Sequence, residues 1–266
     1  SNKNISIYKK YVNSQNMWYF NFKGENFSIR VDPSTDWNHL SFIYGYGYTD
    51  ITTGLVAHWK LNENDSGTIA YDSSGNRYHG TLTNGPTWSP TGDPNGGPCL
   101  DFDGFDEYID LPNSLRDYFH GAVQFTVALW AKCTNNSTHE YLISFMEASS
   151  ANQHFHIFKT SGNLLRFGFH SNDLNSTEAF TSTNWNHYTV TYGTSSYRKI
   201  YINGSLNESG TSSSDLDLDA ATKLYIGKRH ENSDLFQGQM SDVRIYNRAL
   251  SADEVTSVYN SKLDAN

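Results

Sequence analysis

The 266-residue sequence predicts an all-β protein, a sandwich of two antiparallel sheets with a short C-terminal helix and a small β-rich N-terminal appendage. Three observations carry this reading. Short runs rich in Val, Ile, Thr, Tyr and Phe recur at roughly 8–12-residue spacing with Gly, Asn, Asp and Pro between them, the pattern of an all-β sandwich. Charged residues make up only 18% of the chain while aromatic residues reach 15%, a balance that suits pleated, half-buried strands better than helices. Near the end the period changes: after Ser251, residues Val255, Val258 and Tyr259 follow at helical spacing.

Residues 1–53 read as the appendage. Runs at 5–12, 17–22, 27–31 and 40–46 are aromatic-rich and separated by turn residues, so three or four strands are expected. So short a segment buries too little core to stand alone. It is expected to be an appendage packed on the main domain, serving docking or homo-oligomerisation, or else the tail of a preceding domain, with residues 45–53 as the junction.

The main domain, 54–266, opens with GLVAHWKLNE, in which Leu55, Ala57 and Trp59 alternate with Val56, His58 and Lys60. A loop-rich passage fills 65–85. CLDFDGFDEYIDLP, 99–112, reads as a strand, a turn at 103–106 and a second strand. In FTVALWA, 125–131, Phe125, Val127, Leu129 and Ala131 take the inward parity. Runs at 140–147, 154–159 and 164–170 are three more strands. NHYTVTY and KIYING, 186–192 and 199–204, read as a hairpin, and Asn203-Gly204 is a type I′ turn signal. LYIG, 224–227, precedes a closing strand marked by Val243, Ile245 and Tyr246. Ser251 and Glu254 then stand as a capping box, each satisfying a backbone N–H that the new helix leaves free.

A net charge of −9 without a basic run argues against nucleic acid as a partner. No apolar stretch approaches ~20 residues, so no membrane insertion is expected. The chain starts at Ser1 without a signal-peptide pattern and reads as a mature or excised segment of a larger parent protein. Cys99 and Cys133 leave a disulfide or two buried thiols open, with strand parity leaning against the bridge.

The run DVRIYNRALSADEV resembles the closing motif of the laminin-G-like branch of the concanavalin A-type jelly rolls, the group that includes pentraxins. Asp72, Ser74, Gly75 and Asn76 match that family's D-x-SG-N turn, followed by His79, Gly80 and Trp88, and the 99–112 hairpin also fits. The resemblance runs from about Gly54 to Asn260 and implies a jelly-roll sandwich. It also implies a structural calcium where the first loop meets the last strand. Asp72 and Asp242, with carbonyls near Gly75 and Asn76, are the ligand candidates. The alternative is that Asp72 caps its own turn and Asp242 pairs with Arg244 or Arg248. Residues 228–234, KRHENSD, thin out the acidic cluster that pentraxins use to bridge ligands through calcium, so a ligand held that way is not expected.

No enzyme is expected. A retaining glycosidase needs two carboxylates ~5 Å apart. Asp101 and Asp103 alternate, but Asp103 belongs to a turn; Asp215, Asp217 and Asp219 lie in a Ser-rich surface stretch. The strand parities leave Thr126, Ala128, Trp130, His154, His156, Phe158, Arg166, Gly168, His170, His187, Thr189, Thr191, Lys199 and Tyr201 pointing outward. If these strands share one sheet, Trp130, His154, His156, Arg166, His170, His187 and Tyr201 form a polar, aromatic face suited to sugars. Loop tips at 135–139, 149–153 and 171–177 are the other candidate site.

The expected function is therefore a non-catalytic, lectin-like recognition or adhesion module, binding glycans or another cell-surface ligand and steadied by calcium. The expected setting is extracellular, on a cell surface or on a virion. The alternative is the outer structural head of a fibre, spike or capsid-decorating protein, docked to a scaffold through residues 1–50.

Overall fold

In the computed structural model the described residues are 5–12, 15–22, 25–30, 50–63, 65–119, 124–134, 138–146, 154–169, 171–180, 184–213, 215–216, 218, 223–229 and 234–263, the first three segments by backbone alone. The chain divides into two compact units, Ser1–Gly47 and Tyr48–Asn266.

In the first unit, β1 (Ile5–Val12), β2 (Gln15–Phe22) and β3 (Glu25–Arg30) form an antiparallel sheet in that order. The run predicted at 40–46 lies outside the described residues.

The second unit is a sandwich. Its strands are β4 (Leu55–Trp59), β5 (Ile69–Ala70), β6 (Gly80–Thr83), β7 (Thr87–Ser89), β8 (Cys99–Asp103), β9 (Tyr108–Asp110) and β10 (Phe125–Cys133). They continue with β11 (Glu140–Met146), β12 (His154–Lys159), β13 (Leu164–Gly168), β14 (Asp173–Ala179), β15 (Asn186–Tyr192) and β16 (Tyr197–Ile202). The last three are β17 (Ser205–Thr211), β18 (Lys223–Ile226) and β19 (Gln237–Tyr246), followed by helix α1 (Ala252–Leu263). Sheet I runs β17-β16-β15-β10-β19-β8-β7, with β4 also paired to β19. Sheet II runs β14-β13-β12-β11-β18-β9-β6-β5.

Alternation decides what lies between the sheets. Phe125, Val127, Leu129 and Ala131 of β10 enter one apolar cluster with Phe145, Phe155 and Phe167 from sheet II. Phe119 centres the ring packing, with its centroid 4.4 Å from Phe145 and 5.0 Å from Phe125. Cys99 and Cys133 are both buried thiols, and Cys133 Sγ–H donates to Glu140 Oε2 at 2.6 Å.

Two strands follow from no apolar alternation: β14, DLNSTEA, and β17, SLNESGT. Both are sheet-edge strands with many half-exposed positions, so burial leaves little trace in their sequence. The segment 171–177, expected as a loop tip, is therefore largely strand. Asn203 and Gly204 both take positive φ, as the turn signal requires, but they join β16 to β17.

The chain end behaves as its residues dictate. Ser251 N–H donates to Glu254 Oε2 at 2.7 Å, and Glu254 N–H donates to Ser251 Oγ at 3.3 Å. Thus capped, α1 lays Val255 and Val258 on the outer face of sheet I, against Ala128, Tyr201 and Tyr246. No helix among the described residues is long and apolar enough to cross a membrane.

Candidate functional site

The structure does not gather the predicted outward residues on one face. Trp130, His187 and Tyr201 lie on sheet I, whereas His154, His156 and Arg166 lie on sheet II. His170 lies outside the described residues. The sheet I group sits under α1. Trp130 is 3% exposed and stacks on Tyr259 of the helix, with centroids 5.3 Å apart. His187, its cross-strand partner, is fully buried, and loss of water pushes its pKa down to about 3. Tyr201 is 1% exposed. A glycan could not reach these side chains without lifting the helix.

On sheet II, Tyr141 stacks flat on Phe158 at 4.6 Å, and both rings are buried. His154 and His156 are buried beside them. His156 Nε2 lies 3.0 Å from Asp173 Oδ1, and Arg166 Nε donates to Asn175 Oδ1 at 2.7 Å. Burial raises the pKa of Asp173, but the His156 contact and the charge of Arg166 outweigh it and hold the carboxyl below its usual range. Arg166 and the Arg229–Asp234 pair form a half-exposed charged rim around this aromatic floor. The floor itself is closed.

The metal candidates fall into separate networks. Asp72 Oδ1 accepts the His58 and Ser74 N–H groups, at 2.9 and 2.8 Å. Its Oδ2 accepts Tyr78 N–H and Ser74 Oγ–H, at 2.9 and 2.8 Å. Gly75, at φ +97°, permits this tight turn, and Asn76 Nδ2 spans it to the Val56 carbonyl. Asp242 is occupied differently: its Oδ1 lies 2.5 Å from His58 Nε2, and Arg244 closes on both oxygens at 3.0–3.1 Å. Burial raises Asp242, but Arg244 and His58 outweigh it and hold the carboxyl far below the usual range. Calcium needs several free oxygens. One of these carboxylates is filled by four donors and the other is neutralised by an adjacent guanidinium, so this set does not fit a calcium ion. Among the described residues no cluster of three His, Cys, Asp or Glu side chains could hold a metal.

Two open clefts among the described residues offer lined space. The larger, about 480 Å³, lies between the 65–68 loop and the 84–88 turn. Leu82, Pro86 and the half-buried Trp88 give it apolar walls, and Asp65, Ser66, Thr68, Asn84 and Thr87 supply polar groups. The Asn84-Gly85 pair, both at positive φ, turns the chain from β6 into β7 and carries Trp88 to the rim. The second, about 410 Å³, opens at the other edge of sheet I, beyond the start of α1. Thr191, Lys199, Tyr197 and Thr211 line it, with Thr194 and Ser195 from the β15–β16 connection.

Parity placed Thr191 and Lys199 outward; Tyr197, Ser195 and the Asp65–Trp88 grouping carried no sequence signal, because they meet only through folding. Neither cleft holds a carboxylate pair: the first has Asp65 alone and the second has none. A two-carboxylate glycosidase geometry is thus missing from both.

A two-sheet antiparallel sandwich closed by a capped C-terminal helix defines the class. The sequence model described as the Concanavalin A-like lectin/glucanases superfamily matches residues 102–256, more than half of the chain, and the chain belongs to that family. Solved structures share the fold. Domain 4 of AbnA, an extracellular GH43 arabinanase from Geobacillus stearothermophilus solved in complex with arabinotriose, is 24% identical with a TM-score of 0.60. The similarity covers 77% of this chain and 98% of that domain. The binding domain of Paraclostridial Mosquitocidal Protein 1 is 18% identical with a TM-score of 0.62, covering 82% of this chain and 54% of that one. A Trypanosoma rangeli sialidase is 13% identical with a TM-score of 0.61, covering 99% of this chain and 46% of that one. The chain thus spans about half the length of the last two. No curated protein sequence matches it.

Proposed function

We propose that the 48–266 unit is a non-catalytic carbohydrate-recognition module that acts outside the cell and binds a neutral glycan in the Trp88 cleft. One observation carries this: an indole, a proline and a leucine share an open cleft with four neutral polar side chains and a single carboxylate. A sugar ring presents an apolar C–H face to an aromatic ring and hydroxyls to amide, hydroxyl and carboxylate groups. The cleft offers both, at a volume typical of ligand sites. The similar arabinanase domain, described in complex with arabinotriose, supports the reading by analogy of fold. The reading takes no metal at Asp72 and Asp242, whose oxygens are already matched.

The test is calorimetric titration with arabinotriose and other neutral trisaccharides. Asp65 is exposed and accepts the Gly67 N–H at 2.8 Å, so Asp65→Ala should cost folding no more than about 1 kcal/mol. Loss of its charge-assisted hydrogen bonds to ligand should weaken binding about tenfold. Trp88→Ala should abolish binding. Unaltered affinity in Asp65→Ala, or sugar hydrolysis that this variant abolishes, would overturn the reading.

A further inference from the structure

We infer that the second cleft, at the β15–β16 end of sheet I, is a separate site for an acidic saccharide, one bearing a carboxylate or a sulfate ester. Helix α1 covers Ala128, Tyr201 and Tyr246 on the outer face of sheet I, and Leu250 is the last apolar residue before it starts. Past that point Thr191 and Lys199 pair across β15 and β16, and Tyr197 and Thr211 pair across β16 and β17. Strand alternation puts these four on one face, where they line a cleft of about 410 Å³.

Its chemistry is one-sided. Tyr197 is 42% exposed, and its hydroxyl already donates to Ser209 Oγ at 3.0 Å, so the ring face is what it offers to a ligand. Lys199 Nζ lies 5.7 Å from the centroid of that ring, a cation held beside an aromatic platform. Lys199 makes no ion pair among the described residues, and no carboxylate lines the cleft. Asp215 stands at the rim, hydrogen-bonded to Ser196 of the β15–β16 connection, and two other acids are engaged in their own contacts. Asp215 accepts from Tyr192 and Ser196, Glu254 pairs with Arg248, and Glu208 Oε1 accepts the Ser209 N–H. The cleft is left with an ammonium carrying three donors, the hydroxyls of Thr191, Thr194, Ser195 and Thr211, and no charged acceptor. That set complements an anionic group beside a sugar ring. The net charge of −9 disfavours anions at long range, so recognition rests on this local contact.

The rim is built under strain. Ser195 and Ser196, neither of them glycine, both hold φ at +56°. They are kept there by Gly193 N–H to the Tyr197 carbonyl at 2.8 Å, Ser212 N–H to the Ser196 carbonyl at 2.8 Å and Ser196 Oγ–H to Asp215 at 2.6 Å. Two consecutive positive φ values are what a tight hairpin turn between two strands uses, as at Asn203-Gly204, and here two serines supply them. The three hydrogen bonds fix this turn, so the wall that it gives the cleft is ordered before a ligand arrives.

The test titrates the full chain with 3′-sialyllactose, lactose 3′-sulfate and lactose, following amide shifts by NMR. At least one charged sugar should bind about tenfold tighter than lactose, the worth of one charge-assisted contact. The two charged sugars distinguish carboxylate from sulfate recognition. Lys199→Met should erase the preference and leave thermal unfolding unchanged, while Lys199→Arg should keep it. Shifts should map to Tyr197, Lys199 and Ser195. Equal affinity for all three sugars, a preference surviving Lys199→Met, shifts elsewhere, or no binding would overturn the inference.

Discussion

Replacing Asp242 by Asn decides whether that carboxylate is one half of a buried ion pair or a metal ligand. Asp242 is 3% exposed and Arg244 is 7% exposed, and the pair meets through two contacts of 3.0–3.1 Å with His58 at 2.5 Å. Asparagine keeps the size and tolerates the positive φ of +56° found here, so the backbone is not the perturbed variable. What remains is a guanidinium stranded without its counter-charge, which costs about 3–5 kcal/mol. For a unit of this size each kcal/mol lowers Tm by about 2–4 °C, so a fall of roughly 6–20 °C is expected.

Arg244→Met should cost a similar amount, and the double variant less than the sum, because the second change removes the stranded partner. The native carboxyl titrates below its unfolded value. Its stabilisation is therefore complete above the ordinary carboxylate range and is lost as pH falls through the lowered native value. Differential scanning calorimetry of the four proteins, with and without chelator, reads all of this. A chelator should not move the parent Tm. A Tm that drops under chelator, with Asp242→Asn no less stable than the chelated parent, would refute the ion-pair account and restore calcium.

Two further outcomes follow from the same buried face. Trp130→Ala, which removes an indole clamped under Tyr259, should destabilise by about 3–5 kcal/mol and loosen α1, seen as faster amide exchange over 252–263; a change under 1 kcal/mol would mean that the helix does not pack there. His187 stays neutral in the native state down to about pH 3, whereas the unfolded imidazole takes a proton near 6.5. Stability should therefore fall as pH drops below about 6.5, by about 1.4 kcal/mol per pH unit, and chemical denaturation of His187→Gln should show a flatter profile.

Features governed by neighbours along the chain were legible in the residues alone. The capping box at Ser251 and Glu254 needs only four consecutive residues. The Asn203-Gly204 turn needs two residues that accept positive φ. The inward set of Phe125, Val127, Leu129 and Ala131 follows from a period of two, and the family from motifs in order. Edge strands β14 and β17 escaped because half-solvated positions impose no alternation.

Tertiary structure alone decided what each outward face meets. Parity puts Trp130, His187 and Tyr201 on the outside of a strand, but a helix more than 100 positions away from Trp130 turns that outside into an interior. It likewise decided that His156 and His187 belong to different sheets, since strand partnership depends on long-range pairing and not on local pattern. The clefts at Trp88 and Tyr197 exist for the same reason: each is the space left over when segments distant in sequence pack, and no single segment encodes that space.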